Sequence, residues 1–236
     1  MSDGGADSGD VSGDVPGDHT PARLGAEVTG DGCRFTVHSG VAERIELCLF
    51  DADGPESDRV DLVPGDDGTW HVDVSAVGHG QRYGFRVHGP GDPASGHACD
   101  PAKLLVDPAA RRVVGDLVWN AELVTPGVDS APYVPRSVVV APGPPVAAAD
   151  RPRTEWADTV VYEAHVGHLT ARHGLVPVDH RGRYAGLAAD PVLDHLQRLG
   201  VTAVELLPVQ HFVSESFLSE DGRRNVWGYN PLAWGA

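Results

Sequence analysis

Two glutamates and a run of histidines are the residues whose types and spacing suggest chemistry first. Glu163 and Glu205 stand in two apolar segments, 159–166 and 201–209, that read as neighbouring strands. Two carboxyl groups held close together do general acid–base work and cleave glycosides. The same pattern arises when buried carboxylates pair with arginines or with strand-end hydrogen bonds, and that second arrangement is the one expected. His165, His168, His173 and His180 crowd one stretch and raise the question of a metal. His165 and His168 are three apart at a strand end, so a persisting strand sends their side chains to opposite faces. No Cys or Asp cluster completes a tetrahedral set, so structural or loop histidines are expected, with no metal ligand. Cys33, Cys48 and Cys99 lack CxxC spacing and are expected to be free thiols in a reducing, cytoplasmic setting.

The elements that must hold these residues change character along the chain. Cys33, Phe35 and Val37 alternate, as do Ile45, Leu47 and Leu49, then Trp70, Val72 and Val74, then Tyr83, Phe85 and Val87. Period-two alternation marks half-buried strands, and by it Cys33 joins the apolar face while Cys48 does not. Turn clusters at 51–55, 64–68 and 89–93 separate the strands. Residues 22–118 therefore read as strands, and 22–140 as an antiparallel β-sandwich. The stretch APGPPVAAADRP at 141–152 has no periodicity and reads as a linker. Beyond it, 159–166 reads as a strand. Asp190 as N-cap and Pro191 at the first helical position open a helix that Gly200 closes, with Val192, Leu193, Leu196 and Leu199 on one face. The apolar run 201–209 then reads as a strand covered on both faces, so the unit is the βαβ of a parallel sheet.

Composition excludes several classes. Asp+Glu 34 against Lys+Arg 18 gives a formal charge of −16, which repels nucleic acid and anionic membranes. The start has no signal-peptide pattern, and no apolar run approaches a membrane span. Residues 1–21 are rich in Gly, Asp and Ser with almost nothing to bury, and read as a disordered acidic tail.

Several segments taken together carry a resemblance. TVVYEAHVGHLT at 159–170, GRYAGL at 182–187, HLQRLGVTAVELLPV at 195–209 and NVWGYNP at 225–231 resemble, in order, the opening barrel segments of glycogen debranching enzymes and isoamylases in the α-amylase superfamily. GQRYGFRVHGP at 80–90 and PAKLLVDP at 101–108 resemble that group's N-terminal sandwich, and YVPRSVVV at 133–140 its connector. Four places depart from the pattern. Val226 stands where tyrosine is usual, and Gly167-His168 where Lys-Gly or Arg-Gly is. The segment 96–101 replaces an Arg-Phe-Asn, and the last residues, LAWGA, replace an aromatic, Ala-Pro stretch.

The resemblance implies a multidomain β plus α/β chain: a carbohydrate-binding-type sandwich, then, from 153 to 236, the first βαβ of an incomplete (β/α)8 barrel. It implies hydrolysis of α-1,6 branch linkages of glycogen or limit dextrin with retention and without a cofactor, α-glucan being the partner. The group's catalytic carboxylates come from the fourth, fifth and seventh strands, and an Asp and an Asn-His pair from the third. No catalytic residue is therefore assigned here, and the chain alone is expected to be inactive, with 153–236 molten or in need of a partner or further chain. The alternatives are a non-catalytic glucan-binding module and a regulatory partner of another glucan enzyme. The resemblance places the Gly-Tyr of the 227–230 segment beside the glucose next to the scissile bond. Trp227, Tyr229 and Asn230 are the candidate substrate-binding residues, because sugar C–H faces pack on aromatic rings and an amide bonds hydroxyls. Trp70 and Tyr83 suit a glucan platform only if exposed, and their alternation with Val72 and Phe85 places them in the core.

Overall fold

The computed structural model describes residues 23–52 and 54–236, so the acidic tail expected at 1–21 lies outside the described residues. The first strands are β1 (Gly25–Val28), β2 (Gly32–His38), β3 (Arg44–Phe50), β4 (Glu56–Asp61), β5 (Val63–Pro64), β6 (Thr69–Ser75) and β7 (Arg82–His88). A small hairpin, β8 (Gly91–Asp92) with β9 (His97–Ala98), follows, then β10 (Val113–Val114) and β11 (Arg136–Val138). They form two main antiparallel sheets, ordered β1-β2-β6-β5 and β10-β11-β7-β3-β4.

Between the sheets lies one apolar cluster: Cys33, Phe35 and Trp70 from one side, and Ile45, Leu47, Leu49, Tyr83 and Phe85 from the other. Alternation put these side chains there, and a sandwich is the result. The Tyr83 ring packs edge-on against Phe35 at 4.9 Å and Phe85 at 5.8 Å. Trp70 and Tyr83 are thus core residues. Tyr83 spends its hydroxyl inside, donating to Asp107 Oδ2 at 2.6 Å.

The strands β3 and β7 depart from the half-buried expectation. Cys48 and Phe50, on the opposite face of β3, are buried with Leu104 and Ala131. The cause is the segment from 99 to 135, which folds over the outer face of the sheet with little regular structure, in place of the strands expected up to residue 118. Its fastenings are polar. Lys103 Nζ donates to the carbonyls of Glu122, Thr125 and Val128 at 2.6–2.7 Å. Buried Arg86 donates to the carbonyls of Pro101 and Ala102 and pairs with Asp129 at 2.8 Å. Arg136 stacks on Phe50, 4.2 Å from the ring centre. All three cysteines are free. Burial pushes the Cys33 and Cys48 thiols up to about 11.

After residue 138 come only short turns until β12 (Val161–Ala164), which pairs in parallel with β13 (Ala203–Leu206). Between them lie α1 (Val166–Thr170), α2 (Tyr184–Leu187) and α3 (Asp190–Arg198). The last segment adds the pair β14 (His211–Phe212) and β15 (Pro231–Ala233), with α4 (Ser216–Glu220) between.

Four sequence expectations are corrected in this part. Strand β12 ends at Ala164, because His165 turns the chain into α1. Ala189, not Asp190, is the N-cap of α3. Asp190 is its first residue, where a carboxylate suits the helix dipole. Val192 and Leu196 are buried against Val176, but Leu193 sits a hundred degrees around the helix and Leu199 at its C-cap, and both are exposed. Finally, the run 201–209 is not covered on both faces, since Ala203, Val204 and Glu205 are exposed. Among the described residues no helix is long and apolar enough to cross a membrane.

Candidate functional site

The carboxyl ends of β12 and β13 are where a parallel sheet presents ligand-binding side chains, because the loops leaving there open outward. His165 leaves β12 and Pro208 follows β13, and the loop carrying Trp227 and Tyr229 folds onto both.

His165 is the hinge of this arrangement. Its Nε2 lies 2.6 Å from the Val226 carbonyl, which only accepts, so Nε2 bears the proton. Its Nδ1 then accepts from the His168 backbone N–H at 3.1 Å and caps α1. The His168 ring stacks on that of His165 at 4.1 Å. Trp227 stands edge-on to both rings, at 6.2 and 6.0 Å. The two histidines therefore share one side, contrary to the opposite faces expected of a continuous strand. The physical reason is the helical turn that begins at Val166.

Asn225 and Gly228 shape the loop itself. The Asn225 Oδ1 accepts from the N–H groups of Trp227 and Gly228 at 2.9 and 3.1 Å, and its Nδ2 donates to Glu215 at 3.3 Å. Gly228 is buried at φ +82°, and a Cβ there would lie 2.8 Å from the Pro208 carbonyl oxygen, so only glycine fits. Held this way, Trp227 is 55% and Tyr229 69% exposed. Both line a shallow cavity of about 480 Å³ with Phe217, Arg223 and Arg224. The aromatic pair is an open ledge with guanidinium donors beside it, suited to a ligand with apolar faces and hydroxyl edges.

Asn230 does not join this ledge. It is half-buried, and its carbonyl accepts from the Val213 N–H at 3.0 Å. Asn225, His165 and His168 were not singled out for this role from sequence. The signal available was Asn two residues before Trp, a spacing that suits a side-chain turn.

Glu163 and Glu205 are neighbours in register, as adjacent parallel strands require. Both are exposed, and neither makes a hydrogen bond or ion pair among the described residues, so the expectation of buried, arginine-paired carboxylates is corrected. Among the described residues no element covers that face of the pair. His173 and His180 lie in the turns after α1, apart from the stacked histidines. Among the described residues no three His, Cys, Asp or Glu side chains converge as a metal site would require.

Comparison with known proteins supports the resemblance. Residues 23–110 match the carbohydrate-binding module 48 (isoamylase N-terminal domain) family. The chain is 48% identical over 215 residues to the glycogen debranching enzyme of Escherichia fergusonii, covering 89% of this chain and 32% of that one. It is 45% identical over 223 residues to the glycogen operon protein GlgX homolog of Mycobacterium tuberculosis, covering 89% and 31%. The chain thus spans about a third of the length of the curated relatives it matches. Among solved structures, a product complex of the glycogen-degrading pneumococcal virulence factor SpuA aligns with a TM-score of 0.65 at 24% identity, over 91% of this chain and 23% of that one. A pullulanase of Paenibacillus barengoltzii complexed with maltohexaose and α-cyclodextrin gives 0.62 at 23%, over 91% and 32%. At such identities the structures show the fold alone. The sequence matches go further: residues 23–110 belong to the carbohydrate-binding module 48 (isoamylase N-terminal domain) family, and the chain as a whole is similar to glycogen debranching enzymes over about a third of their length.

Proposed function

We propose that this chain supplies the glucan-binding front of an enzyme that hydrolyses α-1,6 branch linkages of glycogen or limit dextrin with retention. In this reading the sandwich ends near residue 140, and 141–152 is a linker. Residues 153–236 then open a (β/α)8 barrel whose catalytic carboxylates lie on strands outside this chain. The observation that carries it is the Trp227–Tyr229 ledge at the carboxyl end of a parallel strand pair, the end where barrel enzymes bind substrate. The parallel β12–β13 register supports the barrel reading, and the kinship with glycogen enzymes supports α-glucan as the ligand and a cytoplasmic setting.

The chain's own residues bind and orient. Trp227 and Tyr229 pack on the C–H faces of glucose units, and Arg223 and Arg224 reach their hydroxyls. His165 and Asn225 hold the loop in place. No step of bond cleavage is assigned to any residue of this chain.

Electrophoresis in native gels containing glycogen tests the reading. The 236-residue chain is expected to be retarded, free maltooligosaccharide to relieve the retardation, and Trp227→Ala with Tyr229→Ala to abolish it. No reducing ends are expected from glycogen with this chain alone. Unretarded migration, or branch cleavage by the pure chain, would overturn the proposal.

A further inference from the structure

A second cavity borders the same loop. It holds about 800 Å³ between residues 116–117, which follow β10, and the segment 209–226. That volume lies within the roughly 300–1,000 Å³ of small-molecule sites. Two contacts join its walls: Arg224 to Asp116 at 3.5 Å, and the Trp119 indole N–H to the Ser214 carbonyl at 2.6 Å. Through Leu117 and Ser219 the cavity continues into a hollow of about 600 Å³ lined by Trp119. Trp119 is 43% exposed even with its N–H bonded.

The lining selects the ligand. Phe212 and Leu117 give an apolar floor, and Gln210 and His211 polar groups on the rim, while the amide of Asn225 and the carbonyl of Ser214 are engaged within the walls. The Gln210 Oε1 accepts from the Val209 N–H, which leaves its two amide hydrogens without a partner among the described residues. The positive charge is already balanced, since Arg224 faces Asp116 and Arg223 faces Asp221. A phosphate would have to displace a carboxylate, whereas a neutral polyol need not.

We propose that this groove, with Trp119 as its stacking platform, is a second site for a linear α-glucan segment, separate from the Trp227–Tyr229 ledge. It rests on the glucan reading above. The residues 223–226 line both places, so the loop is a wall shared by two binding surfaces.

The test uses the full 236-residue chain, ¹⁵N-labelled, with maltohexaose as the probe. The five tryptophan indole N–H signals are assigned by single Trp→Phe substitutions. The Trp119 and Trp227 signals are expected to shift, each with its own saturation. Ser219→Leu, at an exposed helix position where the two hollows meet, is expected to abolish the Trp119 response and leave that of Trp227. Gln210→Ala is expected to weaken the Trp119 response tenfold. Shifts at Trp227 alone would overturn the second site and leave the ledge standing. Shifts at neither would overturn both. A Trp119 response that survives both variants, or one that inorganic phosphate competes away, would overturn the groove as a neutral-glucan site.

Discussion

Gly228 is the residue on which the ledge depends most sharply, and Gly228→Ala is the perturbation to make. The backbone there has φ +82°. Left-handed backbone costs an alanine about 1–2 kcal/mol relative to glycine. A stiffer unfolded chain returns about 0.4–1 kcal/mol of that. The new methyl also meets the Pro208 carbonyl oxygen at 2.8 Å, and the fixed φ of proline leaves that residue less room to yield. The loop must therefore move, and a net cost of about 1–3 kcal/mol falls on it. At about 1.4 kcal/mol per decade, local opening rises roughly 5- to 150-fold. Hydrogen exchange reads this directly at the amides of Trp227 and position 228, both now bonded to Asn225. Maltohexaose affinity should fall with them, while exchange in β3 and β7 stays as it was. Unchanged protection at 227–228 together with unchanged affinity would refute the reasoning.

The sandwich yields further expectations. Tyr83→Phe removes the buried hydroxyl bonded to Asp107 and should cost about 1–3 kcal/mol in urea denaturation. Burial raises the Asp107 carboxyl above its ordinary value, against the lowering hydrogen bonds from Tyr83 and the Ala109 N–H. The folded state therefore holds this proton to higher pH than the unfolded state, whose carboxyl titrates near about 3.9. The contribution of Asp107 to stability should fall as pH rises from that value through the raised folded one, then level off. Asp107→Asn should remove that slope in denaturation midpoints measured across the same window. Lys103→Met strands three carbonyls and should open residues 120–128 to protease before the sandwich unfolds. In a native alkylation experiment read by mass, half-buried Cys99 should react first, since Cys33 and Cys48 are buried with thiols raised to about 11.

What the sequence made legible, and what it hid, divides by the range of the interactions. The faces of Phe35, Leu47 and Tyr83 follow from alternation, which is local, and they meet where alternation puts them. The burial of Cys48 and Phe50 was hidden because the cover is aperiodic and is fastened by Lys103, Arg86 and Arg136 across many residues. The parallel pairing of β12 and β13 was legible in two apolar runs separated by a helical pattern. The turn at His165 was not, because no glycine or proline interrupts 159–166 and the turn is closed by a ring nitrogen capping α1. At the site, Trp227 and Tyr229 stood out by type and resemblance. Asn225 and Gly228, which aim them, act through backbone geometry that no periodicity announces.

The most direct test of the central claim, that Trp227 and Tyr229 form a glucan-binding ledge, is calorimetric titration of maltohexaose into the chain and into the variant carrying Trp227→Ala and Tyr229→Ala. Both rings project outward, so the double variant should fold with an unchanged sandwich. Saturable binding by the native chain, weakened tenfold or more in the variant, is the predicted result, equivalent to about 1.4 kcal/mol or more. Equal affinity in the two, or no binding by the native chain, would contradict it.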